Sequence, residues 1–318
     1  MYPYSLLKEG VGKTQLTAPY FIDNKYYEIC FEINGNINGP IYFILGGISA
    51  SKHVASSSFN FKKGWWGNIV GENKAINLNK CCVISIDYLD FEGVTTFDQA
   101  KAIIFLLDYL KIKKINSFIG YSYGGMVALS FASISQKLAN KIIILGAASE
   151  SLPQSYALRC IQQKIVELSI GTKNEKEALE TARKLGIITY RSTEELNTRF
   201  LNDTNPIVNY LDKKGKEFSS NFSSQKFLTL SKSINNHKVN PFIIKENDII
   251  FIGCTSDQIT PFTQIQKLSY ELNVKNKVYE IDSIYGHDAY LNETLKISNL
   301  FQTIFQEQKN LKEEKNAN

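Results

Sequence analysis

The chain has 318 residues, 43% hydrophobic and 21% charged, with a formal net charge of +5. That balance can fill a sizeable core and excludes global disorder, and no apolar run approaches the ~18 residues a bilayer span needs. The positive charge comes from lysines scattered along the sequence, without the clustered basic face or the motif of a nucleic-acid binder.

The start, MYPYSLLKEG, lacks a basic stretch followed by a long apolar one, so no secretory leader is expected. Short apolar runs at Ile41–Leu45, Cys82–Asp87, Ser117–Gly120, Lys141–Leu145, Asp248–Gly253 and Lys277–Ile281 read as strands covered on both faces. Between strands, Thr96 to Leu110 reads as a helix: Thr96 and Gln99 have capping-box spacing, and Ile103, Leu106, Leu107 and Leu110 form an apolar stripe. Alternating strands and helices imply a mostly parallel α/β sheet. From about Pro153 to Asn240 the rhythm breaks into helix-like stretches, Gln154–Leu168, Glu175–Leu185 and Ser224–Ile234. The expected organisation is a core of residues 1–152 and 241–318 with a helical lid, 153–240, inserted in it. The polar stretch Gln306–Asn318 is expected to end the last helix and fray.

Five cysteines, Cys30, Cys81, Cys82, Cys160 and Cys254, form no C-x-x-C pair, and their number is odd. Free thiols point to a reducing cytosol, hence a cytoplasmic protein. With only His53, His237 and His287 as histidines, no metal site is expected.

The sharpest chemical signal is Gly120-Tyr121-Ser122-Tyr123-Gly124, the G-x-S-x-G nucleophile elbow, set between a predicted strand and the helix predicted from Met126 to Ala132. Small residues around Ser122 let the backbone turn sharply beneath it, and the helix N-terminus favours developing negative charge. A serine needs a base, and in this arrangement the partners follow in the order Ser, acid, His. His287 lies on the loop after the last strand, whereas His237 sits in the helical insertion beside Asn236 and Lys238 and reads as a solvated surface residue. Asp257 follows the preceding strand; Asp248 lies at that strand's entrance, and Asp282 is nearer His287 but leaves Asp257 unexplained. Asp257 would hold the imidazole tautomer while His287 moves the proton. For the oxyanion, the Tyr123 N–H is one expected donor. The second comes from the glycine-containing loop Leu45-Gly46-Gly47-Ile48, with Ile48 assigned and Gly47 the near alternative.

These residues resemble the homoserine O-acyltransferases of the α/β-hydrolase superfamily, and most of all their shorter, succinyl-transferring branch. The resemblance runs from about Ile41 to Leu291. Leu45–Val54 is similar to the family's oxyanion loop, Gly64-Trp65-Trp66 with Ile69-Val70-Gly71 to its paired-tryptophan segment, and Ser122–Met126 to its elbow. Ala182-Arg183, Thr189-Tyr190-Arg191-Ser192 and Arg199-Phe200 are similar to its lid, and Tyr285–Leu291 to its histidine loop.

The resemblance implies an α/β-hydrolase fold with a helical lid, and a ping-pong transfer in which Ser122 takes an acyl group from a coenzyme A thioester and hands it to the side-chain hydroxyl of homoserine. It implies that Asp288 binds the amino group of the acceptor, that Arg183 meets its carboxylate, that Tyr190 lines the same site, and that dimers form through the lid helices. Coenzyme A is then a substrate carrier, with no resident cofactor. Arg183 and Tyr190 are seven residues apart and share a face on a continuous helix, which Gly186 threatens to interrupt. The segment Tyr88–Gly93 is less glycine-rich than in the family and is expected near the mouth of the site. A succinyl donor carries a second carboxylate, for which Arg159 is the candidate cation, a surface arginine being the alternative. Serine as acceptor, acetyl as donor, and water as acceptor in an esterase or thioesterase are the competing readings, and a non-catalytic binding protein is the last.

Overall fold

The computed structural model describes residues 16–317, apart from 23, 58–59, 136, 202–204 and 246–247; the N-terminal segment read for a leader lies outside it. The chain opens with a hairpin that the apolar runs do not reveal, β1 (Leu16–Ile22) and β2 (Lys25–Gly35), paired antiparallel. β1 alternates buried and exposed residues, and Asn24 turns the hairpin at φ 63°, a conformation asparagine tolerates. The remaining strands are β3 (Ile41–Leu45), the short pair β4 (Val70–Gly71) and β5 (Ile76–Asn77), β6 (Cys82–Ile86), β7 (Ile115–Tyr121), β8 (Ala139–Leu145), β9 (Asp248–Cys254) and β10 (Asn276–Ile281). Eight of them form one sheet in the order β1-β2-β6-β3-β7-β8-β9-β10. β2 meets β6 antiparallel, and every pairing from β6 to β10 is parallel.

Parallel strands bury both faces, and the residues obey this. Phe43 and Leu45 of β3 join a cluster with Ile103, Leu106, Val127 and Phe131, which lie on α1 (Thr96–Tyr109) and α2 (Tyr123–Ile134). Tyr42 and Ile44 face the other way, toward Trp66 and toward Ile297, Phe301 and Ile304 of the last helix. Burying Phe301 completely contributes about 1.5–3 kcal/mol. Cys81, Cys82 and Cys254 are buried, and all five cysteines are free thiols.

α1 starts one residue earlier than the sequence spacing predicts. Thr95 is its N-cap, bonded reciprocally with Asp98. Thr96 and Gln99 are instead buried, Gln99 bridging the backbone of Leu89 through both amide atoms.

Between β8 and β9 the described residues form five α-helices: α3 (Pro153–Glu167), α4 (Glu175–Tyr190), α5 (Thr193–Phe200), α6 (Asn205–Ser219) and α7 (Ser224–Asn235). Neither α5 nor α6 was expected. α4 does not stop at Leu185. An interior glycine costs only about 1 kcal/mol, and Gly186 is buried against Gln162 and Tyr190. The insertion leaves and re-enters the core at one point, where Glu150 and Lys238 form an antiparallel bridge and the Val239 N–H donates to the Ser149 carbonyl at 2.9 Å.

His237 lies at this re-entry and is not a solvated surface residue; it is 3% exposed. Its Nε2 donates to the Ala148 carbonyl at 3.2 Å, so Nδ1 accepts from the Thr96 hydroxyl at 2.8 Å, which accepts in turn from Ser130 at 2.8 Å. Burial pushes its pKa down to about 4, against the pull of the Ala148 hydrogen bond. The chain closes with α8 (Phe262–Glu271), α9 (Ala289–Asn292) and α10 (Thr294–Ala317). The backbone of α10 continues through the lysine- and glutamate-rich end to Ala317, where the sequence predicted a frayed terminus; these residue types are good helix formers. Among the described residues no helix is long and apolar enough to cross a membrane.

Candidate active site

Parallel strands deliver their carboxyl ends to one edge of the sheet, where loops from β3, β7, β9 and β10 converge. The turn from β7 into α2 is tight. A Cβ on Gly120 would lie 2.2 Å from the Gly124 carbonyl oxygen, and one on Gly124 would lie 2.5 Å from that of Leu45. Ser122 itself takes φ 54° and ψ −117°, a strained conformation for a residue with a side chain. The Ser122 N–H donates to the Leu145 carbonyl at 2.9 Å, which fixes the turn against β8.

The structure brings Ser122, His287 and Asp257 together. His287 Nε2 lies 2.8 Å from Ser122 Oγ, and Nδ1 lies 2.7 Å from Asp257 Oδ2. The other carboxylate oxygen, Oδ1, accepts from the N–H groups of Ile259 and Thr260 at 2.9 and 3.0 Å. A carboxylate only accepts, so Nδ1 donates and Nε2 is left to accept the Ser122 proton. His287 and Asp257 are both buried. Burial pulls the imidazole pKa down, but the charge and hydrogen bond of Asp257, helped by Asp288, outweigh it and hold it above the ordinary 6.5. Asp248 pairs with Lys141 at the far end of β9, and Asp282 bonds Thr255.

The loop after β3 is anchored on several sides. The Gly46 carbonyl accepts from the Tyr88 hydroxyl at 2.5 Å and the Gly124 N–H at 3.0 Å. Trp65 donates its indole N–H to the Ser51 carbonyl at 3.1 Å, and Lys52 pairs with Asp87 at 2.6 Å. Among the described residues, no hydrogen bond uses the N–H of Ile48 or of Tyr123, so both remain available as donors. Tyr88 is buried behind this loop and stacks edge-on against Tyr123. The segment that starts at Tyr88 therefore supports the loop from behind; none of Tyr88–Gly93 lines the cavity, contrary to the expectation from sequence.

A cavity opens over Ser122, lined from the core by Ile48, Trp65, Tyr121 and His287 and from the insertion by Arg159, Gln162, Arg183 and Tyr190. Asp288 also lines it. Arg159 is 9% exposed, donating from Nε to Asn235 at 2.7 Å and from Nη2 to Ser151 at 2.6 Å. Burial holds its pKa below the ordinary arginine value. Arg183 lies over the rings of Phe218 and Tyr190, 4.8 and 5.5 Å from their centroids. Among the described residues, neither arginine has a carboxylate within ion-pair reach.

Asp288, by contrast, is held by Arg191 at 3.0 Å, and Arg191 lies 3.5 Å from the buried Glu195. The Ser192 hydroxyl caps α5 and donates to the Ile284 carbonyl, tying the insertion to the histidine loop. Sequence reasoning missed Gln162 and the pairing role of Arg191. The Ser192-x-x-Glu195 spacing was a readable helix-start signal. Among the described residues no group of three or more His, Cys, Asp or Glu side chains is arranged to hold a metal.

This sheet, with a strained serine elbow and a Ser-His-Asp constellation at its carboxyl edge, defines an α/β-hydrolase-fold protein, and that family's model matches residues 71–294. The chain is 30% identical over 288 residues to a homoserine O-succinyltransferase of Xanthomonas campestris pv. campestris, covering 86% of this chain and 77% of that one. It is 28% identical to a serine O-succinyltransferase of Xylella fastidiosa, covering 83% and 87%. The chain belongs to the homoserine O-acyltransferase family and is an acyltransferase. By structure it matches a homoserine O-acetyltransferase from Staphylococcus aureus at TM-score 0.80 and 22% identity, covering 91% and 94%. It matches esterase E22 at 0.79 and 19%, covering 91% and 98%. These two likenesses speak to the fold alone, which transferases and esterases share.

Proposed function

We propose that the protein transfers a succinyl group from succinyl-CoA to the hydroxyl of homoserine through an acyl-Ser122 enzyme. His287 takes the Ser122 proton as Oγ attacks the thioester carbonyl. The oxyanion is met by the N–H groups of Tyr123 and Ile48, and collapse expels the CoA thiolate, which takes the proton from His287. The homoserine hydroxyl then attacks the acyl-serine, giving its proton to His287, and Ser122 leaves with that proton restored. Arg183 receives the acceptor carboxylate, Asp288 its ammonium group, and Tyr190 the chain between them. Arg159 receives the distal carboxylate of the donor. The helices of 153–240 act as a lid that keeps water from the acyl-enzyme.

The observation that carries this reading is the charge inventory of the cavity. Two arginines line it without an acidic partner, beside one acid, Asp288. Arg159 is nearly buried and Arg183 partly so, and a desolvated cation without a counter-charge is costly, so the ligand is expected to bring the carboxylates. A succinyl donor and an α-amino acid bring two carboxylates and one ammonium group; an acetyl donor would leave Arg159 unmatched. Serine remains the rival acceptor, because one methylene is worth only about 1–3 kcal/mol in a pocket, and the Xylella relative bears that name.

The test is thiol release from succinyl-CoA or acetyl-CoA with homoserine, serine or no acceptor. Release that requires succinyl-CoA and homoserine together supports the proposal. Equal release without an acceptor would replace it with hydrolysis. Silence, with a serine-reactive phosphonate also failing to label Ser122, would point to a binding protein. We further propose homodimers through the lid, where Tyr156, Ile161 and Leu168 of α3 and its C-terminal end are exposed; a monomer in sedimentation would overturn this.

A further inference from the structure

Gln162 is a buried residue of the cavity whose polar side chain the described residues leave unused. It is 3% exposed and lines the cavity. Yet among the described residues no hydrogen bond reaches its carboxamide, a group with two donors and an acceptor. The contrast with its neighbour is direct: Gln163, one residue on, donates to the Ser231 hydroxyl at 3.0 Å. The carboxamide is not sealed inside the protein but borders the open cavity, so its donors and acceptor are left for a ligand.

The position is also specific. Gln162 lies one helical turn from Arg159 on α3, so the two share a face. Across the helix pair it meets α4 at Gly186, where its Oε1 and the Tyr190 hydroxyl both lie 3.5 Å from the point at which a side chain would begin. One turn back along α4 is Arg183. The amide thus shares the cavity wall with the two arginines that have no acidic partner.

We propose that Gln162 is a substrate-binding residue whose carboxamide N–H donates to a substrate carboxylate held by one of these arginines. This rests on the acyl-transfer reading given above. The carboxylate belongs either to the amino-acid acceptor or to the distal end of the acyl donor, and kinetics can tell them apart.

The experiment compares wild type with Gln162→Met and Gln162→Glu, each purified as the full chain. Thermal unfolding is recorded without substrates, and KM and kcat are measured with homoserine, succinyl-CoA and acetyl-CoA. For Gln162→Met the expected result is a KM at least tenfold higher for one carboxylate-bearing substrate, kcat within threefold, and a Tm no lower than wild type. Gln162→Glu should raise the same KM further, because a carboxylate repels a carboxylate. A raised homoserine KM with either donor assigns the acceptor; a raised succinyl-CoA KM with acetyl-CoA unmoved assigns the donor. Unmoved KM values in both variants, or a lowered KM in Gln162→Glu, would overturn the proposal. A Tm that falls in Gln162→Met with its KM unmoved would make the residue a packing element. An inactive wild type fails the transfer reading, whereas an active wild type with unaffected variants fails only Gln162.

Discussion

The sheet edge and the helical insertion treat their polar groups in opposite ways. At the sheet edge, both oxygens of Asp257 and both nitrogens of His287 have partners. In the insertion, Arg159 and Arg183 have no acid, and Gln162 has no partner among the described residues. On the proposed reading, the difference separates two tasks. Groups that perform chemistry must be held before substrate arrives, because orientation fixed in advance costs nothing at the moment of reaction. Groups that recognise substrate keep valences open, and the protein bears that cost in stability.

The largest effect is expected where the proposed catalytic network is cut. Asp257→Asn keeps the shape but presents an amide to Nδ1, so the wrong tautomer is favoured and kcat should drop by about 10⁴. The same variant sharpens the pH argument. His287 acts as a base only when neutral, so wild-type kcat/KM should fall with acid below a pKa that lies above 6.5. Removing the Asp257 charge should move that limb to lower pH. A limb that stays put would show that Asp257 does not set the imidazole.

His237 stands where insertion and core meet, and its network resembles the sheet edge: both nitrogens are used. Its folded pKa, about 4, lies below the unfolded value of about 6.5. The unfolded chain therefore takes up the proton first as pH falls. Stability is complete above about 6.5 and is lost toward pH 4, by on the order of 3 kcal/mol. Urea midpoints across that range measure this. Gln at 237 should be less stable at neutral pH and lose the slope; an unchanged slope would assign the acid lability elsewhere.

Arg159→Met tests the open side. The KM for succinyl-CoA should rise tenfold or more, about 1.4 kcal/mol, while that for acetyl-CoA stays near wild type. Equal losses with both donors would make Arg159 a structural strut through Asn235 and Ser151. The smallest effect is expected at Gly186→Ala. The new methyl meets Gln162 and Tyr190 at ordinary contact distances, so stability should change by less than about 1 kcal/mol, toward stabilisation. A large loss in calorimetry would mean that α3 and α4 pack more tightly than these distances state.

The legibility of the sequence follows the same division. The parallel strands showed themselves because residues buried on both faces form apolar runs, and the placement of Ser122, Asp257 and His287 together followed from where those strands end. β1 and β2 were invisible to that signal: β1 has one exposed face, and charged residues such as Lys25 and Glu28 interrupt β2. His237 read as a surface residue because its neighbours are polar, yet its burial is decided by Thr96 and Ala148, far away in sequence. The sequence does not single out Gln162 within the helix-like stretch Gln154–Leu168. Nothing local distinguishes an amide that faces water from one that faces a cavity.

The shared stem of the insertion has a consequence for how such proteins diversify. Because residues 149–150 and 238–239 pair side by side, the helices of the insertion form a cassette whose two chain ends lie together, with Ser192 and Arg191 as further ties to the histidine loop. Segments whose ends lie close together are readily exchanged. A relative's segment spliced at this bridge would arrive with its own arginines and amide, while the serine, histidine and aspartate stayed in place. On the proposed reading, the part of acyl and acceptor preference set by Arg159, Gln162 and Arg183 can thus be inherited as one module, apart from Asp288 and the Ser122, His287 and Asp257 constellation of the core.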